Sequence, residues 1–246
     1  MKDASNPYKR MLCTDLDGTF IGDDGSMYRL LRAIRDKDIL LVFSTGRHLP
    51  SVTAFVNEKG IRKPHACILL VGTEIYLLEK GEFILDNNWS QVISEDWDRK
   101  KIVRLLADIE ELVLQDEEWQ TRFKLSYYLR ENQAEVLQEI SDRMGKAKLK
   151  ANIIYSGGEF LDFLPVKASK VRAAVYLLGK FGIDRETIVF CGDSGNDLDA
   201  FEAGFKGIIV SNAHSELKNF KGKNAYHATG EYSTGIIEGL RYFKFI

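Results

Sequence analysis

The chain has few cysteines and histidines, almost no net charge and no long apolar run, and each shortage removes a class of protein. Cys13, Cys67 and Cys191 are the only 3 cysteines in 246 residues, odd in number and widely spaced. Neither a disulfide framework nor a cysteine zinc site is expected from that pattern. Each lies in or beside an apolar run and reads as a buried strand thiol. The 4 histidines, His48, His65, His214 and His227, are scattered without metal-ligand spacing, and none reads as catalytic. With 34 basic and 36 acidic residues the net charge is −2, which gives nucleic-acid binding no electrostatic support. The longest apolar runs, 39–43 and 67–71, are far short of the ~20 residues that a membrane helix needs. Residues 1–10 are polar and lack the apolar stretch of a signal peptide, so no membrane partner and a cytoplasmic location are the default expectations.

What is present is ordinary core material. Hydrophobic residues make up 45% and aromatics 11%, enough to bury a sizeable core in one large or two modest domains. There is no internal repeat. Short apolar runs at 10–14, 39–44, 66–71, 187–191 and 207–210 read as buried strands. Amphipathic stretches at 27–38, 49–59, 170–181 and 198–203 alternate with them. That order predicts an α/β fold: a doubly wound, mostly parallel, Rossmann-like sheet with helices on both faces. The middle reads differently. A long helix is expected from Ser94 through Val113, then a strand at 122–129. Asn132 and Glu135 suggest a capping box for a helix that stops at Gly145, before strands at 151–155 and 160–164. This is an α+β insert. The turn at Lys80–Gly81 and Pro165 mark its limits, giving domains at 1–80 with 166–246 and at 81–165.

Four features carry chemistry. Asp15-Leu16-Asp17-Gly18-Thr19 closes the first strand, and two carboxylates at i and i+2 repel unless a cation or proton lies between them. Ser44-Thr45-Gly46-Arg47 follows the second strand, where a hydroxyl, a free backbone N–H and a helix start suit a phosphate. Arg47 reads equally well as a phosphate ligand or as helix surface. Lys170 opens a helix after Pro165 and supplies a fixed cation; Lys167, three residues earlier, reads as a solvated loop residue. Gly192-Asp193-Ser194-Gly195-Asn196-Asp197 adds two more carboxylates in a glycine-rich turn after a strand. Singly, each is compatible with a turn, a helix cap or a solvated surface. Together, all lie where strand ends of an open parallel sheet bind ligands.

In this order the four motifs resemble those of the haloacid dehalogenase superfamily, and the insert between the second and third resembles its C2B cap. The segments 71–76, 124–127, 155–157, 161–162 and 191–201 resemble sucrose-phosphate phosphatases. The resemblance implies a phosphate monoester hydrolase with Asp15 as nucleophile, forming an aspartyl-phosphate, and Asp17 as general acid and base. It implies Mg2+ held by Asp15, the Asp17 backbone carbonyl and Asp193, with Asp197 supporting the metal waters or holding Lys170. Thr45, Gly46, Lys170 and Asn196 would receive the phosphate oxygens.

Selectivity would then come from the cap, because a phosphate site alone accepts many monoesters. The candidates for sugar contact are Arg47, Glu74, Asn88, Lys124, Ser126, Tyr127, Ser156 and Asp162. Tyr127 and Tyr128 cannot both face a sugar from a regular strand. Trp89, Trp97 and Trp119 read as core or domain-junction packing. The leading substrate is sucrose 6F-phosphate. The alternatives are another glycosyl sugar phosphate such as mannosylfructose phosphate, a phosphorylated compatible solute, or a non-catalytic sugar-phosphate sensor or synthase-bound subunit. Association with a sugar-phosphate synthase is a family-level expectation, and oligomeric state is unreadable.

Overall fold

A computed structural model describes residues 6–156 and 158–246, without the side chain of Ser156. The chain divides into two compact units, one of residues 1–86 and 170–246, the other of residues 87–169.

The first unit is built on an eight-stranded sheet. Strands β1 (Arg10–Thr14), β2 (Ile39–Ser44) and β3 (Ala66–Leu69) are parallel neighbours. They are joined through helices α1 (Asp24–Ile34) and α2 (Leu49–Glu58). A hairpin, β4 (Glu74–Glu79) and β5 (Glu82–Leu85), extends that side antiparallel. Lys80–Gly81 is therefore the turn of this hairpin, inside the large sheet, and not a domain boundary. The register decides this, pairing Leu77 with Ile84 and Glu79 with Glu82.

The second unit begins with helices α3 (Asn87–Ser94) and α4 (Arg99–Leu106). These replace the single long helix expected from Ser94. Asp96 has φ +64°, and the Asp98 carboxylate accepts from Lys101 N–H at 3.0 Å, so a new helix is capped where one was expected to continue. A four-stranded antiparallel sheet follows, ordered β6 (Val113–Leu114), β7 (Leu125–Tyr128), β9 (Phe160–Leu164), β8 (Asn152–Ser156). Helix α5 (Gln133–Ala147) lies between β7 and β8 in the chain. Asn132 is left-handed and makes no side-chain cap bond, so the expected capping box does not form. The helix also runs past Gly145. It ends at left-handed Lys148, where Lys148 and Leu149 N–H groups return to Gly145 and Met144 carbonyls in a Schellman arrangement. Leu125, Tyr127, Leu161 and Phe163 face the helices and form the core with Ile102, Leu106, Val136, Ile140 and Met144.

The chain then returns to the first unit through α6 (Lys170–Phe181), β10 (Ile188–Gly192), α7 (Leu198–Glu202), β11 (Lys206–Ile209), α8 (Ser215–Lys218), β12 (Ala225–His227) and α9 (Tyr232–Tyr242). The sheet order is β12-β11-β10-β1-β2-β3-β4-β5. β1, β2 and β10 are almost wholly buried, as expected of parallel strands covered on both faces. Adjacent residues of β11 show both covers: a Cβ on Gly207 would meet the Phe201 ring of α7, whereas a Cβ on Gly239 of α9 would meet Ile208. The order reverses at β1, with β2 on one side and β10 on the other, which makes the strand ends there the switch-point crevice.

His65 precedes β3, accepts from Leu41 N–H at Nδ1 (2.8 Å) and packs against Tyr8. Burial, with Arg62 adding to it, pushes its pKa down from 6.5 to about 4. The unfolded chain therefore takes up this proton first, so stability is full above about pH 6.5 and drains away as pH falls toward about 4. Urea midpoints measured between pH 7 and pH 4.5 should fall less steeply for His65→Gln than for the unsubstituted chain. Equal slopes would show that His65 does not set this dependence.

Candidate active site

Asp15 is the first residue beyond β1, and its N–H is held by the Cys191 carbonyl of β10 at 3.0 Å. Its carboxylate lies 2.7 Å from Lys170 Nζ, and the same ammonium donates to Asn196 Oδ1 and Asp197 Oδ1, both at 2.8 Å. Lys170 is 3% exposed and Asp15 6%. Opening α6 brings Lys170 to this point. The other lysine in reach of that reading, Lys167, pairs with Glu95 of the second unit.

Asp193 follows β10. It accepts from the Thr19 hydroxyl at 2.9 Å, and its backbone N–H points to Asp197 Oδ2 at 3.3 Å. Carboxylate oxygens of Asp15, Asp193 and Asp197 lie within 4.8 Å of one another, all buried. Close packing has shaped the turns. A Cβ on Gly18, at φ +76°, would stand 2.4 Å from Asp193 Oδ2, and one on Gly192 2.6 Å from Asp197. Three carboxylates gather beside one ammonium that bonds two of them, Asp15 and Asp197, an excess of negative charge that suits a divalent cation. Burial pushes the Asp15 pKa up to about 8, with Lys170 opposing, and burial also raises Asp193. At Lys170 burial works against the charge, but Asp15 and Asp197 outweigh it and raise its pKa, so the ammonium stays charged.

Asp17 points elsewhere. Its side chain is 57% exposed and lies in a fork from Arg47, with Nε to Oδ2 at 2.8 Å. It is not in the three-carboxylate cluster, which leaves only its backbone carbonyl for the expected metal role. Arg47 thus belongs to the rim of this site as the partner of Asp17. Thr45 is buried, and its N–H is not free, since it donates to the Ile68 carbonyl at 2.9 Å. The hydroxyl accepts from Arg47 N–H at 3.2 Å. The open backbone position is Gly46, above which a Cβ would meet nothing within 4 Å. Leu70 and Val71, both at positive φ, clamp this loop by donating to the Arg47 and Thr45 carbonyls.

The sugar-contact candidates separate. Glu74 starts β4, hydrogen-bonds Tyr76 and lies near His48; burial raises its carboxyl pKa. Asn88 is exposed on α3. The side chain of Ser156 lies outside the described residues. Lys124, Ser126 and Asp162 meet on one face of the small sheet: Lys124 Nζ is 2.9 Å from Asp162 Oδ1 and 2.8 Å from Ser126 Oγ, which is 2.6 Å from Asp162. Lys124 and Asp162, with Gln115, Trp119, Tyr128 and Phe160, line a cavity of about 360 Å³. Ser126 is fully buried beneath them and supports the pair without lining the cavity. Strand alternation turns Tyr127 into the core, edge-on to Phe163, and gives the cavity to Tyr128. Trp119, expected as packing, is a cavity wall. Phe160 was findable from Asp162 by the two-residue period, but nothing local marks Gln115.

A family profile described as sucrose-6F-phosphate phosphohydrolase matches residues 8–244. The chain belongs to that family. It is 36% identical to the probable sucrose-phosphatase 2 of Arabidopsis thaliana over 99% of this chain but 62% of the relative. The chain thus spans about three-fifths of that relative's length. It is 34% identical to the mannosylfructose-phosphate phosphatase of Agrobacterium fabrum, over 95% of this chain and 96% of the relative. The crystal structure of the Synechocystis sucrose-phosphatase in complex with sucrose and phosphate aligns with TM-score 0.86 and 28% identity, over 96% and 98% of the two chains. Among the described residues, no helix is long and apolar enough to cross a membrane.

Proposed function

We propose that this family member hydrolyses sucrose 6F-phosphate to sucrose and phosphate through an aspartyl-phosphate on Asp15. The observation that carries the reading is the convergence of Asp15, Lys170, Asp193 and Asp197 at the switch-point strand ends. An Asp15 oxygen attacks phosphorus, and the bond from phosphorus to the sugar oxygen breaks. Asp17 gives that oxygen a proton from its protonated form, which has let go of the Arg47 fork that holds the carboxylate. The regenerated Asp17 carboxylate then takes a proton from water as the water attacks the phosphoryl group, releasing phosphate and free Asp15. The Thr45 hydroxyl, Gly46 N–H, Lys170 and Asn196 receive the phosphate oxygens. Mg2+ fits the donor set of Asp15, Asp193 and the Asp17 carbonyl, with Asp197 behind them. When bound it supplies the positive charge that lets an anionic nucleophile meet an anionic ester.

Residues 87–169 serve as the cap that reads the sugar, and the cavity between Trp119, Tyr128 and Phe160, with Lys124 and Asp162 at its polar end, is assigned to that task. Flat apolar walls with a few fixed polar groups suit a glycosyl ring. Lys124→Ala should raise KM for sucrose 6F-phosphate about 10-fold or more, while kcat/KM for p-nitrophenyl phosphate stays within about twofold. Equal losses on both esters would take sugar recognition away from this cavity.

A second reading, mannosylfructose phosphate as substrate, is favoured by the Agrobacterium relative that this chain matches over nearly its full length. Phosphate release from sucrose 6F-phosphate, mannosylfructose phosphate, fructose 6-phosphate and glucose 6-phosphate, with Mg2+ or with chelator, decides. The expected result is turnover in Mg2+ only, fastest on sucrose 6F-phosphate. A faster mannosylfructose ester would select the second reading, and no turnover of any ester would sink both.

A further inference from the structure

We infer that Asn212 is a positioning residue that holds the catalytic turn after β1 against the loop after β10, and so maintains the spacing of the acidic cluster. The inference rests on the hydrolase reading above for what the cluster does, and on hydrogen bonds for what Asn212 does. The turn 15–19 closes on itself through one atom: the N–H groups of Thr19, Phe20 and Ile21 all converge on the Leu16 carbonyl at 3.3, 3.0 and 2.8 Å. That leaves the Gly18 carbonyl without a partner inside the turn. Asn212, just beyond β11, supplies it, with Nδ2 donating at 2.6 Å across 194 residues of sequence. Its Oδ1 accepts from the N–H of Tyr232 at the start of α9, at 2.9 Å.

The backbone around Asn212 grips the other acidic loop. His214 N–H donates to the Asp193 carbonyl at 2.7 Å, and Val210 N–H points to the Gly192 carbonyl at 3.5 Å. Ser211 N–H donates to Gly230 at 3.1 Å. One short segment, 210–214, therefore touches the loops carrying Asp15 and Asp193 and the start of α9 together. Little slack remains between those loops, because the Thr19 hydroxyl is on Asp193 and Gly18 has no room for a side chain. Only a carboxamide offers a donor and an acceptor on neighbouring atoms; aspartate loses the donor and alanine loses both. Gly18 follows Asp17, so fixing the Gly18 carbonyl fixes the peptide next to the one whose carbonyl is assigned to the ion.

The test is Asn212→Ala, with Ser233→Ala as comparison, since the Ser233 hydroxyl makes a separate tie to the Phe20 carbonyl at 2.8 Å. Asn212→Ala should lower kcat on sucrose 6F-phosphate about 10- to 100-fold with KM within about twofold. By calorimetry with Mg2+ alone, its Kd for the ion should rise about 10-fold. Ser233→Ala should lower the melting temperature and leave the Mg2+ affinity where it was. A folded Asn212→Ala with unchanged kcat and Mg2+ affinity overturns the proposal, as does a Ser233→Ala that shifts Mg2+ affinity equally. Should the alanine variant not fold, Asn212→Asp keeps the oxygen facing Tyr232 and sets a carboxylate oxygen against the Gly18 carbonyl in place of the bond; unchanged kcat there also overturns it. If the unsubstituted chain hydrolyses no monoester, the hydrolase reading has failed, and the Mg2+ calorimetry still decides the part played by Asn212.

Discussion

Asp15→Asn is expected to abolish turnover, by about 10⁴-fold or more, while the protein stays folded. The amide keeps the size of the carboxylate and still offers Lys170 an oxygen, so the hydrogen bond at 2.7 Å has a counterpart. What is lost is the anionic oxygen that attacks phosphorus. Stability should move the other way. Asp15 is one of three buried carboxylates within 4.8 Å of each other, against one lysine, and removing one charge relieves that repulsion. In chelator, Asn at this position should therefore melt above the unsubstituted chain, and Mg2+ should close the gap. Phosphate release and thermal melts read the two effects separately. A variant that keeps even about one hundredth of the original turnover would remove Asp15 from the role of nucleophile.

Lys170→Met is expected to give the largest loss of stability. The ammonium is 3% exposed and bonds Asp15, Asn196 and Asp197 at once. Methionine fills similar space without charge and leaves the acidic cluster uncompensated. Removing one member of a buried ion pair costs about 3–5 kcal/mol, which for a chain of this length lowers the melting temperature by about 6–20 °C. The drop should be greatest in chelator and smaller with Mg2+, because a bound cation replaces part of the lost charge. Turnover should fall as well, since Lys170 is assigned to the phosphate. A melting temperature unchanged in chelator would mean that these carboxylates do not depend on Lys170, against the geometry.

The long-period patterns were legible. β1, β2 and α6 lie where apolar runs and helical spacing place them, at Arg10–Thr14, Ile39–Ser44 and Lys170–Phe181. Buried parallel strands must be apolar throughout, and that leaves a mark on the sequence. The failures cluster where one residue decides. Asp96 and Asp98 break the expected long helix, and Lys148 rather than Gly145 ends α5. The β4–β5 hairpin escaped because its outer strand is half exposed and weakly patterned. Tyr127 and Tyr128 differ only by strand phase, which pairing with β9 sets. Asn212 left no local signal, since both of its partners are remote in sequence.

By itself the sequence determined the α/β class, the order of its elements and the four motifs, because periodicity and residue chemistry are local properties. Tertiary structure decided the rest. It separated Asp17 from the three-carboxylate cluster and placed Tyr128 and Trp119 around the cavity of the smaller unit. Each of those depends on which distant segments meet, and at what register. Such contacts join residues as far apart as Asn212 and Gly18, separated by 194 positions, and no window of sequence contains both partners.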